Sequence, residues 1–74
     1  FEGASEQCFW MKDMNFSIDM IFMDSDKKVT KIYSNVAQAT YPESFCADDT
    51  KYVLEVNAGM AQQSGVREGQ MIEF

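Results

Sequence analysis

Two carboxylates, two thiols and four spaced thioethers are the groups in this 74-residue chain whose types and positions could do chemistry. Asp19 stands between Ile18 and Met20, and Glu55 between Leu54 and Val56. Apolar surroundings raise a carboxyl pKa, and two carboxylates about 5–9.5 Å apart across a cleft would suit glycoside cleavage. The plainer expectation is that each lies on the solvated face of its strand or holds a neighbouring lysine or loop amide. We favour it, because most strand carboxylates are structural or exposed.

Cys8 and Cys46 are the only cysteines. Joined, they would close a loop of roughly 40 residues, which the chain-entropy model values at about 4 kcal/mol, comparable with the whole stability of a small domain. The alternative is a pair of reduced, partly buried thiols. Met11 with Met14 and Met20 with Met23 repeat a Met-x-x-Met spacing, and soft thioethers can hold Cu(I) in an oxidising compartment. Positions three apart on a strand face opposite sides, however, and methionine is a common gap-filler in irregular cores. The spacing therefore predicts core packing and no metal site, and no residue set implies a cofactor.

Histidine is absent. That removes the usual general base, the Ser-His and Cys-His nucleophile pairs and the commonest zinc ligand together. For binding rather than catalysis, Trp10, Tyr33 and Tyr41, accompanied by Lys12, Asn35 and Glu43, could line a shallow surface. Aromatic faces there would meet an apolar sugar or peptide surface while the polar groups fix its orientation. The competing expectation packs Trp10 in the core, where a single tryptophan in a thin-cored chain is more often found.

The elements that must position these residues follow from size and pattern. Seventy-four residues make one domain, spanning 1–74, and a domain of this size buries only about 60–65% of the surface its unfolded chain exposes. Twelve acidic against six scattered basic residues give a net charge of −6, which repels phosphate backbones and anionic lipid, so no nucleic acid partner is expected. The longest apolar run, Met20 to Met23, is far short of the roughly 20 residues a membrane-spanning helix needs, and no membrane insertion is expected.

Phe16, Ile18, Met20 and Phe22 alternate with Ser17, Asp19, Ile21 and Met23, a period of two that predicts a strand with one fully apolar face. Asp24 to Lys28 supplies turn residues before the β-branched segment Val29 to Ser34, the pattern of a hairpin with a five-residue connection. Gln7 to Met11 and Lys51 to Val56 are also strand-like. Between them, Asn35 to Thr50 loses periodicity around Pro42 and reads as a long irregular connection. Asn57 is positioned to cap a short helix through Ser64, with Gly65 left-handed beyond it and Val66 packing back on Ala61. Gly69 turns the chain into a final strand, Gln70 to Phe74, with Ile72 and Phe74 on one face. The fold class is mainly β with one short helix (α+β), in a small barrel-like antiparallel or mixed sheet.

The string Cys8-Phe9-Trp10-Met11-Lys12-Asp13, then Ile18-Asp19-Met20-Ile21-Phe22, Asn35-Val36, Tyr52-Val53-Leu54-Glu55-Val56-Asn57-Ala58-Gly59, Gly65-Val66 and Gly69 resembles a known family. It is similar to the bacterial and archaeal domain-of-unknown-function family 192, through nearly the whole chain. The resemblance implies a compact, mostly β fold, often exported behind a signal peptide or lipid anchor, and no established activity. It also implies an N-terminal piece, including a strand, that members carry before the point where this chain opens on Phe1. An even cysteine count in a short acidic chain resembling exported proteins favours the Cys8–Cys46 bridge over free thiols.

The expectation for function is an extracytoplasmic, non-catalytic interaction or accessory domain. The alternatives are a carboxylate-dependent hydrolase of cell-surface glycans acting through Asp19 and Glu55, and a purely structural module. A sheet lacking a strand exposes unpaired amides, so a separate N-terminal fragment or self-association through the open edge is the expected partner.

Overall fold

The computed structural model describes residues 4–73. Five strands form two antiparallel sheets: β1 (Ser5–Phe9) pairs with β4 (Phe45–Thr50), and β2 (Ile18–Met23) lies between β3 (Val29–Val36) and β5 (Tyr52–Asn57). A 3-10 turn, Gln38–Thr40, precedes β4, and a one-turn helix α1 (Met60–Gln63) follows β5. The mostly β, α+β expectation stands, but the sheets do not close into a barrel. They stack instead.

The stacking explains β2. Its alternation predicts one fully apolar face, and the structure covers the other face as well: all six residues from Ile18 to Met23 are buried. Ile18, Met20 and Phe22 point to one side, where they meet Met11 and Val36, with Phe9, Phe45 and Ala47 of the β1–β4 sheet packed against them. Ile21 and Met23 point to the other, against Val29, Ala61 of α1, Val66 and Ile72. A central strand covered on both faces needs little polar surface, so the sequence alternates without the strand being amphipathic. Rings link the layers: Phe22 lies 6.0 Å from Phe9 and 5.8 Å from Tyr33, and Tyr33 5.2 Å from Phe45, all edge-on.

Met20 and Met23 fall in separate clusters on opposite sides of the sheet, as strand geometry requires. Met11 and Met14 both join the Phe22 side, so the thioethers pack rather than converge.

The β2–β3 hairpin has the expected connection. Asp24 Oδ1 accepts the amides of Asp26 at 2.9 Å and Lys28 at 3.0 Å, and Lys27 takes a left-handed φ of 64°.

The stretch 35–50 is not an irregular loop. Asn35 and Val36 finish β3, and Phe45–Thr50 forms β4. With Phe45 and Ala47 the only apolar side chains it packs on the core, a polar Thr50 buried at its end and Asp48-Asp49 outward, β4 carries too little hydrophobic alternation to be read locally; its register comes from pairing Cys46 with Cys8 and Phe45 with Phe9. The final strand is also reduced. Met71 makes one bridge to Lys28, flanked by amide bonds from Val29 to Gln70 and from Ile72 to Lys27, and the expected Ile72–Phe74 face lies partly outside the described residues.

Candidate functional site

The two carboxylates do not share a site. In the β2–β5 ladder Met20 opposes Glu55 and Asp19 opposes Val56. Cross-strand partners share a face and successive residues alternate, so Asp19 and Glu55 lie on opposite faces of one sheet. Glu55 is exposed. Asp19 is 1% exposed, and its oxygens are occupied: Oδ1 accepts the Asn35 amide at 2.8 Å, and Oδ2 those of Gly59 and Ala61, each at 3.0 Å. This is the loop-amide role in full.

Asp19 thereby replaces the expected Asn57 cap. Asn57 is the last residue of β5, and the N-cap of α1 is Gly59, left-handed at φ 91° with no side chain to offer. A carboxylate from the neighbouring strand takes the orphan amides that a local Asn, Ser or Asp would otherwise cap. The same carboxylate holds Asn35, itself left-handed at φ 57°, so Asn35 belongs to this structural node. At the far end of α1 the expectations hold: Gly65 is left-handed at φ 76° and the Val66 amide donates to Ala61 O at 2.9 Å.

Cys8 and Cys46 are joined by a disulfide. They are directly opposed in the β1–β4 ladder with a Cα–Cα distance of 4.1 Å, near the spacing of a narrow, non-hydrogen-bonded antiparallel pair. Cys8 is exposed and Cys46 half-buried.

Past the end of β1, Trp10 is not core. It is 48% exposed, and its ring lies 5.2 Å from that of Tyr41, itself 43% exposed, at a tilt of 52°. Lys12 Nζ stands 5.9 Å from the Trp10 ring centroid. Met11 occupies the core position beside Trp10 and opens a turn, closed by the Met14 amide donating to Met11 O at 3.1 Å, that leaves Lys12 exposed as well. Beside the pair is an open cleft of about 420 Å³ lined by Met11, Lys12, Asp13, Met14, Gln38 and Tyr41 among others.

Of the residues expected on a recognition surface, Trp10, Lys12 and Tyr41 come together. Glu43 is exposed just after Pro42, its amide bonded to Thr40 O at 2.8 Å. Tyr33 is withdrawn, donating its hydroxyl to Cys46 O at 2.7 Å beneath the β1–β4 sheet. Asp13 and Gln38 were not singled out by the sequence; only their position beside Tyr41 marks them.

The family model for DUF192, an uncharacterized ACR, matches residues 1–74. The chain belongs to the DUF192 family. Two solved structures share its fold. One is a protein of unknown function from Novosphingobium aromaticivorans DSM 12444, with a TM-score of 0.83 and 29% identity over 96% of this chain and 51% of that one. The other is titled a putative transcription regulator, from Sinorhizobium meliloti 1021, with a TM-score of 0.86 and 30% identity over 93% of this chain and 54% of that one. The DUF192 chain thus spans about half the length of these relatives. No curated protein matches it. No activity is established for the family.

Proposed function

We propose that this DUF192 chain is a non-catalytic, extracytoplasmic recognition domain whose binding surface is the Trp10–Tyr41 pair with Lys12 at its rim. The observation that carries the reading is the pair itself. Two large aromatic residues left about half exposed, with rings 5.2 Å apart, offer apolar surface to a ligand. Lys12, Asp13 and Gln38 surround the adjoining cleft with donors and acceptors that orient a sugar or peptide.

A disulfide is compatible with an oxidising compartment, and among the described residues no helix is long and apolar enough to cross a membrane. The name of the Sinorhizobium relative raises nucleic acid as a ligand, but a net charge of −6 with scattered lysines argues against it here. The glycan-hydrolase alternative has no support from the placement of Asp19 and Glu55. As partner we assign an added strand, from a second copy or a separate N-terminal piece, at the outer edge of β1, β3, β4 or β5, where the sheets end. A monodisperse monomer in sedimentation, unchanged by any added N-terminal fragment, overturns that assignment.

The test of the recognition reading is an immobilised array of glycans and extended peptides probed with the full chain. Binding should fall about tenfold or more with Trp10→Ala or Tyr41→Ala, the truncations that remove an aromatic anchor. Binding insensitive to both variants, or none on the array, leaves the structural-module reading in its place.

A further inference from the structure

The Cys8–Cys46 disulfide joins the two strands whose adjoining segments carry the aromatic pair. Cys8 lies two positions before Trp10, and Cys46 five positions after Tyr41. Among the described residues β1 pairs with β4 alone, and that ladder is irregular between Ser5 and Gln7. The disulfide is therefore the covalent tie that holds a short, singly paired strand, and Trp10 at its end, against the segment leading from Tyr41.

The two cysteines differ in setting. Cys8 is on the exposed side of the bridge, while Cys46 is half-buried and lines a cleft of about 400 Å³ together with Lys31, Tyr33 and Asp48. Lys31 Nζ sits 5.2 Å from the Tyr33 ring centroid, and the Tyr33 hydroxyl is bonded to the Cys46 carbonyl. Exchange at a disulfide depends on which sulfur can be reached and on how readily the other leaves as thiolate. Cys8 is the more exposed residue of the bridge and so the side open to attack, with Cys46 as the leaving partner.

We propose that Cys8–Cys46 is a thiol–disulfide exchange site that takes a dithiol reductant at Cys8 and, once opened, frees Trp10 from Tyr41. A thiolate of the reductant attacks Cys8 Sγ, the Cys8–Cys46 bond breaks, and Cys46 leaves as a thiolate that takes a proton from water. The second thiolate of the reductant then attacks the reductant's own sulfur in the mixed disulfide, releasing Cys8 as a thiolate that is protonated in turn. Two electrons and two protons pass to the cysteines, and the dithiol becomes a cyclic disulfide. Exposed bridges are the labile and regulatory ones, whereas buried structural bridges resist such reagents. This control of the platform rests on the recognition reading; the exchange chemistry does not.

The experiment uses the full native chain, without denaturant. Brief exposure to reduced glutathione, followed by acid quench and peptide mass mapping, should place the adduct on Cys8 in about tenfold excess over Cys46. Dithiothreitol should then reduce the bridge in the folded chain, and acrylamide quenching of Trp10 fluorescence should rise as both thiols appear. Adduct chiefly on Cys46, no reduction until denaturant is added, or unchanged Trp10 quenching in a folded chain with both thiols titrated would each overturn the proposal. Should reduction unfold the chain, seen as lost far-ultraviolet dichroism, the bridge is structural and the switch is likewise refuted. No ligand enters this assay, so its failure leaves the recognition reading to the array, and an array failure leaves the exchange result intact.

Discussion

Asp19 and Ala61 are 42 positions apart in the chain and are joined by a 3.0 Å hydrogen bond from the Ala61 amide to Asp19 Oδ2. Through this bond and its companions to Gly59 and Asn35, one buried carboxylate fixes the start of α1 and the end of β3 to the central strand. A charged acceptor shared by three backbone amides stabilises more than three neutral bonds, and removing it leaves donors that must find water or go unpaired.

Asp19→Ala should lower unfolding free energy by about 3 kcal/mol, and Asp19→Asn, which keeps one acceptor oxygen, by about 2 kcal/mol. Glu55→Gln, at an exposed position, should stay within about 0.5 kcal/mol of the parent. Urea unfolding of the three variants measures this. An Asp19→Asn chain as stable as the parent would show that the carboxylate is not structural and would reopen the catalytic reading.

Replacing both Cys8 and Cys46 by serine removes a cross-link between residues 38 positions apart. The stability lost should be about 3–4 kcal/mol, a large share of what a domain of this size possesses. Thermal unfolding measures the loss, and a thiol titration of the denatured, unreduced parent should find no reactive group.

Trp10→Ala should cost under about 1 kcal/mol, because a half-exposed ring loses little burial, whereas Phe22→Ala should cost about 3–5 kcal/mol. Phe22 is fully buried and meets the ring of Phe9 in the other sheet and that of Tyr33 on the adjacent strand. Comparing their denaturation midpoints decides whether Trp10 is held for packing or for recognition; a loss near that of Phe22 would favour packing.

At Gly59 an added Cβ would meet nothing within 4 Å, so any cost of Gly59→Ala comes from its φ of 91° alone. That conformation disfavours alanine by about 1 kcal/mol. The loss should appear in denaturant unfolding and be accompanied by faster amide exchange at Ala61.

Local signals were sufficient for the β2–β3 hairpin, because alternation and the Asp24–Lys28 turn act within a dozen residues. They were sufficient for the left-handed Gly65 and for β5 to within one position. They failed at β4, whose few apolar residues form a strand only when Cys46 meets Cys8 across the sheet. They failed at the start of α1 because its cap comes from another strand. They left Trp10 open between surface and core, because size alone favours burial of a tryptophan and only the fold shows Met11 filling that place.

By itself, the sequence determined a small, acidic, mostly β member of its family, lacking the imidazole of familiar active sites and able to form one disulfide. Composition and short-range periodicity express those properties, since each depends on residues counted or read side by side. Tertiary structure alone decided that Asp19 and Glu55 face apart, that Trp10 and Tyr41 meet on the surface, and that Asp19 serves as a helix cap. Such relations depend on strand register and on which layer covers which face, and both are set by contacts between residues distant along the chain.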